Sequence, residues 1–227
     1  MKKNILLILM LVGLQLGAIA QDEVPAQTEQ NVTLSYGFSE KFNMLRLSYV
    51  NYWGLGQKKK FRIGPGVRAI WAFGNDWRIA TVNTSNSGDG GGMENALSVE
   101  QTSLGGVNLG LFLKYALTPK LEIGLNFDVI GIGFGGPETA DFVEADNNET
   151  TVVQDLNAPN PNIAFTRGLV SSDNLWIGYK VVDNFQLRAA FNFTGAELEV
   201  ADLPIESDDP RFERINTNLV IGVMYAF

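Results

Sequence analysis

Eight charged side chains, Arg46, Arg62, Arg68, Lys114, Glu122, Asp128, Lys180 and Arg188, sit inside stretches of apolar alternation, each on the parity opposite the large aliphatic residues. Such a set can line a wet conduit for small polar or anionic solutes. Alternatively its members can pair and fill an interior, since an unpaired buried charge is costly. Asp128 falls near the depth of Arg46 and Arg68, and Glu122 lies diagonal to Lys114. That placement favours a filled polar network of Arg46, Arg68, Lys114, Glu122, Asp128 and Arg188.

Catalysis has less to work with, because the sequence holds no His and no Cys. A Ser or Thr nucleophile would lack its usual activating base, which leaves only carboxylate-based hydrolysis, and the expectation is no enzyme. The glycine run from Gly88 to Gly92 is not followed by the Lys and Ser or Thr of a phosphate loop. Two acidic runs, Asp141, Glu144, Asp146 and Glu149, and Asp202, Glu206, Asp208 and Asp209, could collect Ca²⁺ or Mg²⁺. Neither has the Gly and terminal Glu of a calcium loop, so solvated loops are expected, with no cofactor. A formal net charge of −8 argues against nucleic acid as a partner.

The elements that must position these groups are strands, because side chains alternate faces with period two. Eight are predicted, at about 32–39, 45–53, 61–73, 107–117, 121–129, 174–181, 185–194 and 215–227. Turns at Gly56 to Lys60, Thr118-Pro119-Lys120 and Val182-Asp183-Asn184 are short. Long polar connections at 74–103, the first part of which is expected to hold an extended strand end near Trp77 to Val82, and at 133–168 and 195–213 all fall at the opposite end. The run Asn157-Ala158-Pro159-Asn160-Pro161-Asn162 is expected to resist any regular element. Beyond Gly195 the formerly apolar parity is taken by Glu197 and Glu199, as if that strand leaves an apolar medium for water.

Residues 1–20 read as a secretory signal, with Lys2 and Lys3, an apolar run from Ile5 to Leu16 and the small-residue site Ala18-Ile19-Ala20. A flexible lead-in at 21–31 and a barrel at 32–227 complete the expected organisation. No other stretch could span a membrane as a helix, so a membrane protein here would have to be a closed barrel. Trp53, Phe61, Tyr115, Tyr179, Phe185, Tyr225 and Phe227 cluster beside the short turns and the terminus. Trp71 and other rings lie toward the far ends, giving the two girdles that aromatic rings form at membrane interfaces.

The last strand is the most specific stretch. Val223, Tyr225 and Phe227, alternating and ending on an aromatic residue, resemble the closing strand of Gram-negative outer-membrane β-barrels, and the chain resembles the small OmpA/OmpX type. The resemblance implies an all-β, eight-stranded antiparallel up-and-down transmembrane barrel with short periplasmic turns and long external loops. It further implies residence in the cell outer membrane, contact with its lipid and lipopolysaccharide, and reading of the C-terminal strand by the barrel assembly machinery. The leading expected role is non-enzymatic, envelope-structural or surface-interacting. A narrow channel is the second reading, and a soluble secreted lipocalin-like binder of reversed polarity the third.

Overall fold

The computed structural model describes residues 28–81, 96–137, 139–143, 150–164, 166–200 and 211–227. The signal segment, the Gly88 to Gly92 run and most of the acidic loop residues, Glu144, Asp146, Glu149, Asp202, Glu206, Asp208 and Asp209 among them, lie outside these. Among the described residues no helix is long and apolar enough to cross a membrane.

The strands are β1 (Thr28–Phe38), β2 (Phe42–Leu55), β3 (Phe61–Thr81), β4 (Ala96–Ala116), β5 (Leu121–Gly135) and β6 (Thr139–Val143), followed by β7 (Thr150–Gln154), β8 (Leu156–Asn157), β9 (Asn162–Ile163), β10 (Val170–Val182), β11 (Phe185–Val200) and β12 (Arg211–Ala226). Eight of them, β1, β2, β3, β4, β5, β10, β11 and β12, form an antiparallel ring in which each is hydrogen-bonded to the next. The first and last strands close it, in register from Asn31 opposite Ala226 to Phe38 opposite Leu219. Closure leaves no open edge in the ring, and the terminal Phe227 amide donates to the Gln30 carbonyl at 2.9 Å.

The apolar parity faces outward. Leu34, Leu45, Leu47, Leu109, Leu125, Ile177, Leu187, Leu219 and Ile221 are each at least two-fifths exposed, whereas Arg46, Arg68, Lys114, Glu122 and Asp128 are buried inside. On β12 the outward row from Ile215 to Tyr225 spans roughly 25 Å at a rise of about 3.3 Å per residue and a tilt of about 40°, the height of a transmembrane barrel's apolar band. Trp53, Phe61, Tyr179, Tyr225 and Phe227 are exposed at the short-turn end, with Tyr115 and Phe185 half-exposed beside them, and Trp71 is exposed toward the other end. A charge on this wall should be expensive: Leu47→Arg is expected to cost about 2 to 4 kcal/mol in lipid. Urea titration of vesicle-inserted protein reads this, with the outward but polar Asn51→Arg near the interface expected to cost less.

At the end opposite the short turns, the strands continue past the belt and build a second closed layer. Above the short β1–β2 hairpin, β3 meets β12 directly through Phe212 opposite Thr81 and Glu213 opposite Ala80. Strand β4 pairs with β6, β6 with β7, and β8, one residue beyond β7, pairs with β11 through Leu156 opposite Val200. Six segments, β3, β4, β6, β7 with β8, β11 and β12, thus encircle a core of opposite polarity. Trp77, Ile79, Leu97, Val99, Phe142, Leu198 and Phe212 are fully buried there, while Arg78, Ser98, Glu100 and Asp141 point to water.

Several expectations need correction. The stretch 74–103 holds more strand than expected: β3 runs to Thr81, as the extended end near Trp77 anticipates, but β4 starts already at Ala96. Both strands exchange inner and outer parity at the same level, near Asp76 (φ 50°) and Glu100, and this swap defeats a simple alternation reading. Similarly, β5 continues past Val129 through a bulge opposite Leu109 and Gly110, after which Ile130, Ile132 and Phe134 face outward. Asn157 and Asn162, placed in a stretch expected to exclude regular structure, lie in the two-residue strands β8 and β9. The lead-in is shorter than expected because β1 begins at Thr28, where Thr28 to Asn31 pair with Trp53 to Val50. Among the described residues, the connections at the far end therefore form a folded cap.

Candidate functional site

The lumen is the candidate site, and it is packed in layers. Nearest the short turns, Glu122 pairs with Lys114 at 3.2 Å and with Lys180 at 3.3 Å, and accepts from Gln186 Nε2 at 3.1 Å. Glu29, reaching in from β1, pairs with Lys114 at 2.5 Å and with Arg62. This layer shuts the short-turn mouth.

The next layer is aromatic. Tyr52, Phe112 and Trp176 are buried, and three cations lie over their faces: Lys114 on Tyr52 at 4.8 Å, Arg68 on Phe112 at 5.0 Å and Arg188 on Trp176 at 3.7 Å. Inward glycines make the room. A Cβ on Gly124 would sit 2.5 Å from the Trp176 ring, and one on Gly66 would sit 2.6 Å from that of Phe112. Large and small residues facing one another fill a narrow barrel without voids.

Above the rings lies the most completely bonded layer. Arg46 grips Asp173 with both terminal nitrogens, at 2.8 and 3.4 Å, and donates to Ser171 Oγ at 3.1 Å and Ser35 Oγ at 3.2 Å. Arg68 pairs with Asp128 at 3.0 Å and donates to the Ser171 carbonyl, Ser48 Oγ and Asn126 Oδ1. Asn126 and Asn192 donate to Asp173, each at 2.9 Å, while Asn108 and the Ser171 amide donate to Asp128 at 3.0 and 2.9 Å. A forked guanidinium-to-carboxylate pair whose carboxylate takes two further bonds, as Asp173 does from Asn126 and Asn192, is the geometry in which buried charges are tolerated.

The structure brings Arg46, Arg68, Lys114, Glu122, Asp128 and Arg188 into one lumen. It reassigns one partner, since Arg46 is held by Asp173 rather than Asp128. Two acids escape the sequence reading, and each has a physical cause. Asp173 has the outward parity of Leu175, but a bulge between them turns it inward. Glu29 follows the inward parity of Asn31 and Thr33, yet its outward neighbours Thr28 and Gln30 are polar, so no alternation marks a strand. With both acids included, the lumen is far closer to neutral than an anion conduit would be.

The space left over is small. The void among Arg46, Arg68, Phe112, Asp173 and Arg188 is about 20 Å³, room for about one water. Farther out the interior turns apolar, through Met44, Ile70, Ala72, Leu104, Leu169 and Val220, and merges with the cap core, where Phe42 stacks on Trp77 at 5.1 Å. Among the described residues there is no cluster of three or more His, Cys, Asp or Glu that could hold a metal ion.

A closed antiparallel ring with an apolar belt outside, aromatic girdles and charges sealed inside defines a transmembrane β-barrel of the small, filled kind. No protein-family model matches the chain, and no curated protein matches it. Among solved structures it is similar to a major outer membrane protein from Thermus thermophilus, at 13% identity over 89% of this chain and 100% of that one, with a TM-score of 0.41. It is also similar to the attachment invasion locus protein Ail of Yersinia pestis, at 7% identity, 88% and 96% coverage and a TM-score of 0.35. Neisserial surface protein A gives 10% identity, the same coverages and a TM-score of 0.34. The assignment to transmembrane barrels rests on the strand ring and its polarity, not on these likenesses.

Proposed function

We propose that this chain is an integral outer-membrane barrel without enzymatic activity, which holds a folded cap at the cell surface in an envelope-structural or surface-interaction role. The observation that carries this reading is the layered closure of the lumen. Ion pairs shut one mouth, a hydrogen-bonded layer fills the middle and an apolar core shuts the other end, so the barrel works as an anchor rather than a conduit. The absence of His and Cys from the sequence supports a non-enzymatic role. Short turns and both strand ends at one rim, with the tall hairpins at the other, match a periplasmic and an external side respectively. Outer-membrane lipid and lipopolysaccharide would surround the belt, and the Tyr225 and Phe227 end would be read by the assembly machinery.

Fractionation followed by gel mobility of unheated and boiled samples, then planar-bilayer recording, tests this. Recovery in the outer membrane, a heat-dependent mobility shift and no steady conductance are expected. Stable single-channel steps from the purified wild-type protein would overturn the anchor reading in favour of a channel. Recovery without detergent would overturn the membrane placement.

A further inference from the structure

The outer wall of a small barrel is convex, yet this one carries a hollow of about 790 Å³ where the belt meets the cap. It exists because two neighbours stop short. The β1–β2 hairpin ends at Glu40 and Lys41, and the chain leaves β5 at Gly135 and Gly136, whose φ values of 84° and 153° turn it away toward Pro137. The floor between them is two cross-strand rows on the outward parity. Asn43, Phe73 and Ser103 form the lower row, and Asn75 opposite Gln101 the upper.

We propose that this hollow binds the saccharide headgroup of an outer-leaflet glycolipid, an inference that rests on the outer-membrane reading above. The depth is right: the row immediately below is Leu45, Trp71 and Gly105, with the Phe134 ring lying across Gly105. A lipid lying along the wall would put its acyl chains on Trp71 and Phe134 and its headgroup in the hollow. The chemistry fits a sugar better than a bare phosphate. Amide and hydroxyl side chains, Asn43, Asn75, Gln101 and Ser103, offer donors and acceptors together, as sugar hydroxyls require. Phe73 offers an apolar face to ring C–H groups. At the lip the single cation Lys41 is outnumbered by Glu40 and Asp76, so no cationic patch selects for phosphate. The volume falls within the range of small-molecule pockets, with room for a disaccharide.

The test uses the full chain in vesicles of phosphatidylethanolamine and phosphatidylglycerol containing a minor fraction of lipid A, followed by gentle detergent extraction and native mass spectrometry. Wild-type protein is expected to retain lipid A in preference to phosphatidylglycerol. The doubly substituted Asn75→Ala/Gln101→Ala protein should lose about tenfold of that preference, what the loss of two such hydrogen bonds amounts to. Flotation with the vesicles and the heat-dependent mobility shift check that both proteins are inserted and folded. Insertion with equal retention by the two proteins, or with no preference in the wild type, overturns the site while leaving the membrane reading intact. Failure to float overturns both. Tighter binding of free glucosamine disaccharide than of lipid A would reassign the hollow to a soluble sugar and overturn the lipid-headgroup proposal.

Discussion

Replacing Asp173 by Ala is expected to destabilise the barrel by about 3 to 5 kcal/mol, because it strands Arg46 as an unpaired charge in a closed interior. Asp173 is the densest acceptor of the network, holding Arg46 by two bonds and taking one each from Asn126 and Asn192. Nothing nearby can substitute: the neighbouring carboxylate, Asp128, is engaged by Arg68, Asn108 and the Ser171 amide. Urea unfolding from vesicles, or the temperature of the gel mobility shift, would register the change. The paired substitution Arg46→Met with Asp173→Leu removes both charges, and it should recover most of the loss, since a well-packed apolar pair often equals a buried ion pair. A loss below about 1 kcal/mol for Asp173→Ala, the range of an exposed pair, would show that water reaches Arg46 and that the lumen is not sealed.

That pair also marks where the sequence becomes unreadable. Outward residues such as Leu45, Ile177 and Leu219 follow an unbroken period of two, so strand identity, ring order and belt polarity are all legible. The lumenal basic residues are legible for the same reason, being fixed by their neighbours' parity. Asp173 is not, because a single bulge reverses parity locally and leaves no trace in composition. The cap is hidden by a different cause. Its strands are continuations of belt strands that exchange an apolar outside for an apolar inside, so Leu97 and Val99 read as scattered residues within a polar stretch, and the strand end near Trp77 and Ile79 gives no sign of the core it faces. The inversion beyond Gly195 is visible in the parity of Glu197 and Glu199, but the expectation that this parity meets water fails at Glu197, which is buried and accepts from the Gly168 amide at 2.7 Å; the other half, the buried Ala196, Leu198 and Val200, makes sense only against strands distant in sequence.

A single deletion in that cap core, Trp77→Ala, is the second large effect, expected to cost about 3 to 5 kcal/mol by removing a fully buried aromatic side chain. Trp77 is entirely buried and stacks on Phe42, the first residue of β2, so it couples the cap to the top of the belt. The eight-stranded ring below does not depend on it: β1 closes against β12 and β10 against β5 through registers that lie wholly beneath the cap. The variant should therefore keep its heat-dependent mobility shift while protease added outside sealed vesicles cuts the cap segments of β4, β6 and β11. Wild-type protein under the same protease should resist at these positions. If the variant instead loses membrane insertion together with cap protection, the two layers fold as one unit, and the cap is then part of what makes the barrel rather than something the barrel carries. Independent loss would support the anchor reading, because a cap that can be emptied of structure without disturbing the ring is free to vary its outer face for a partner.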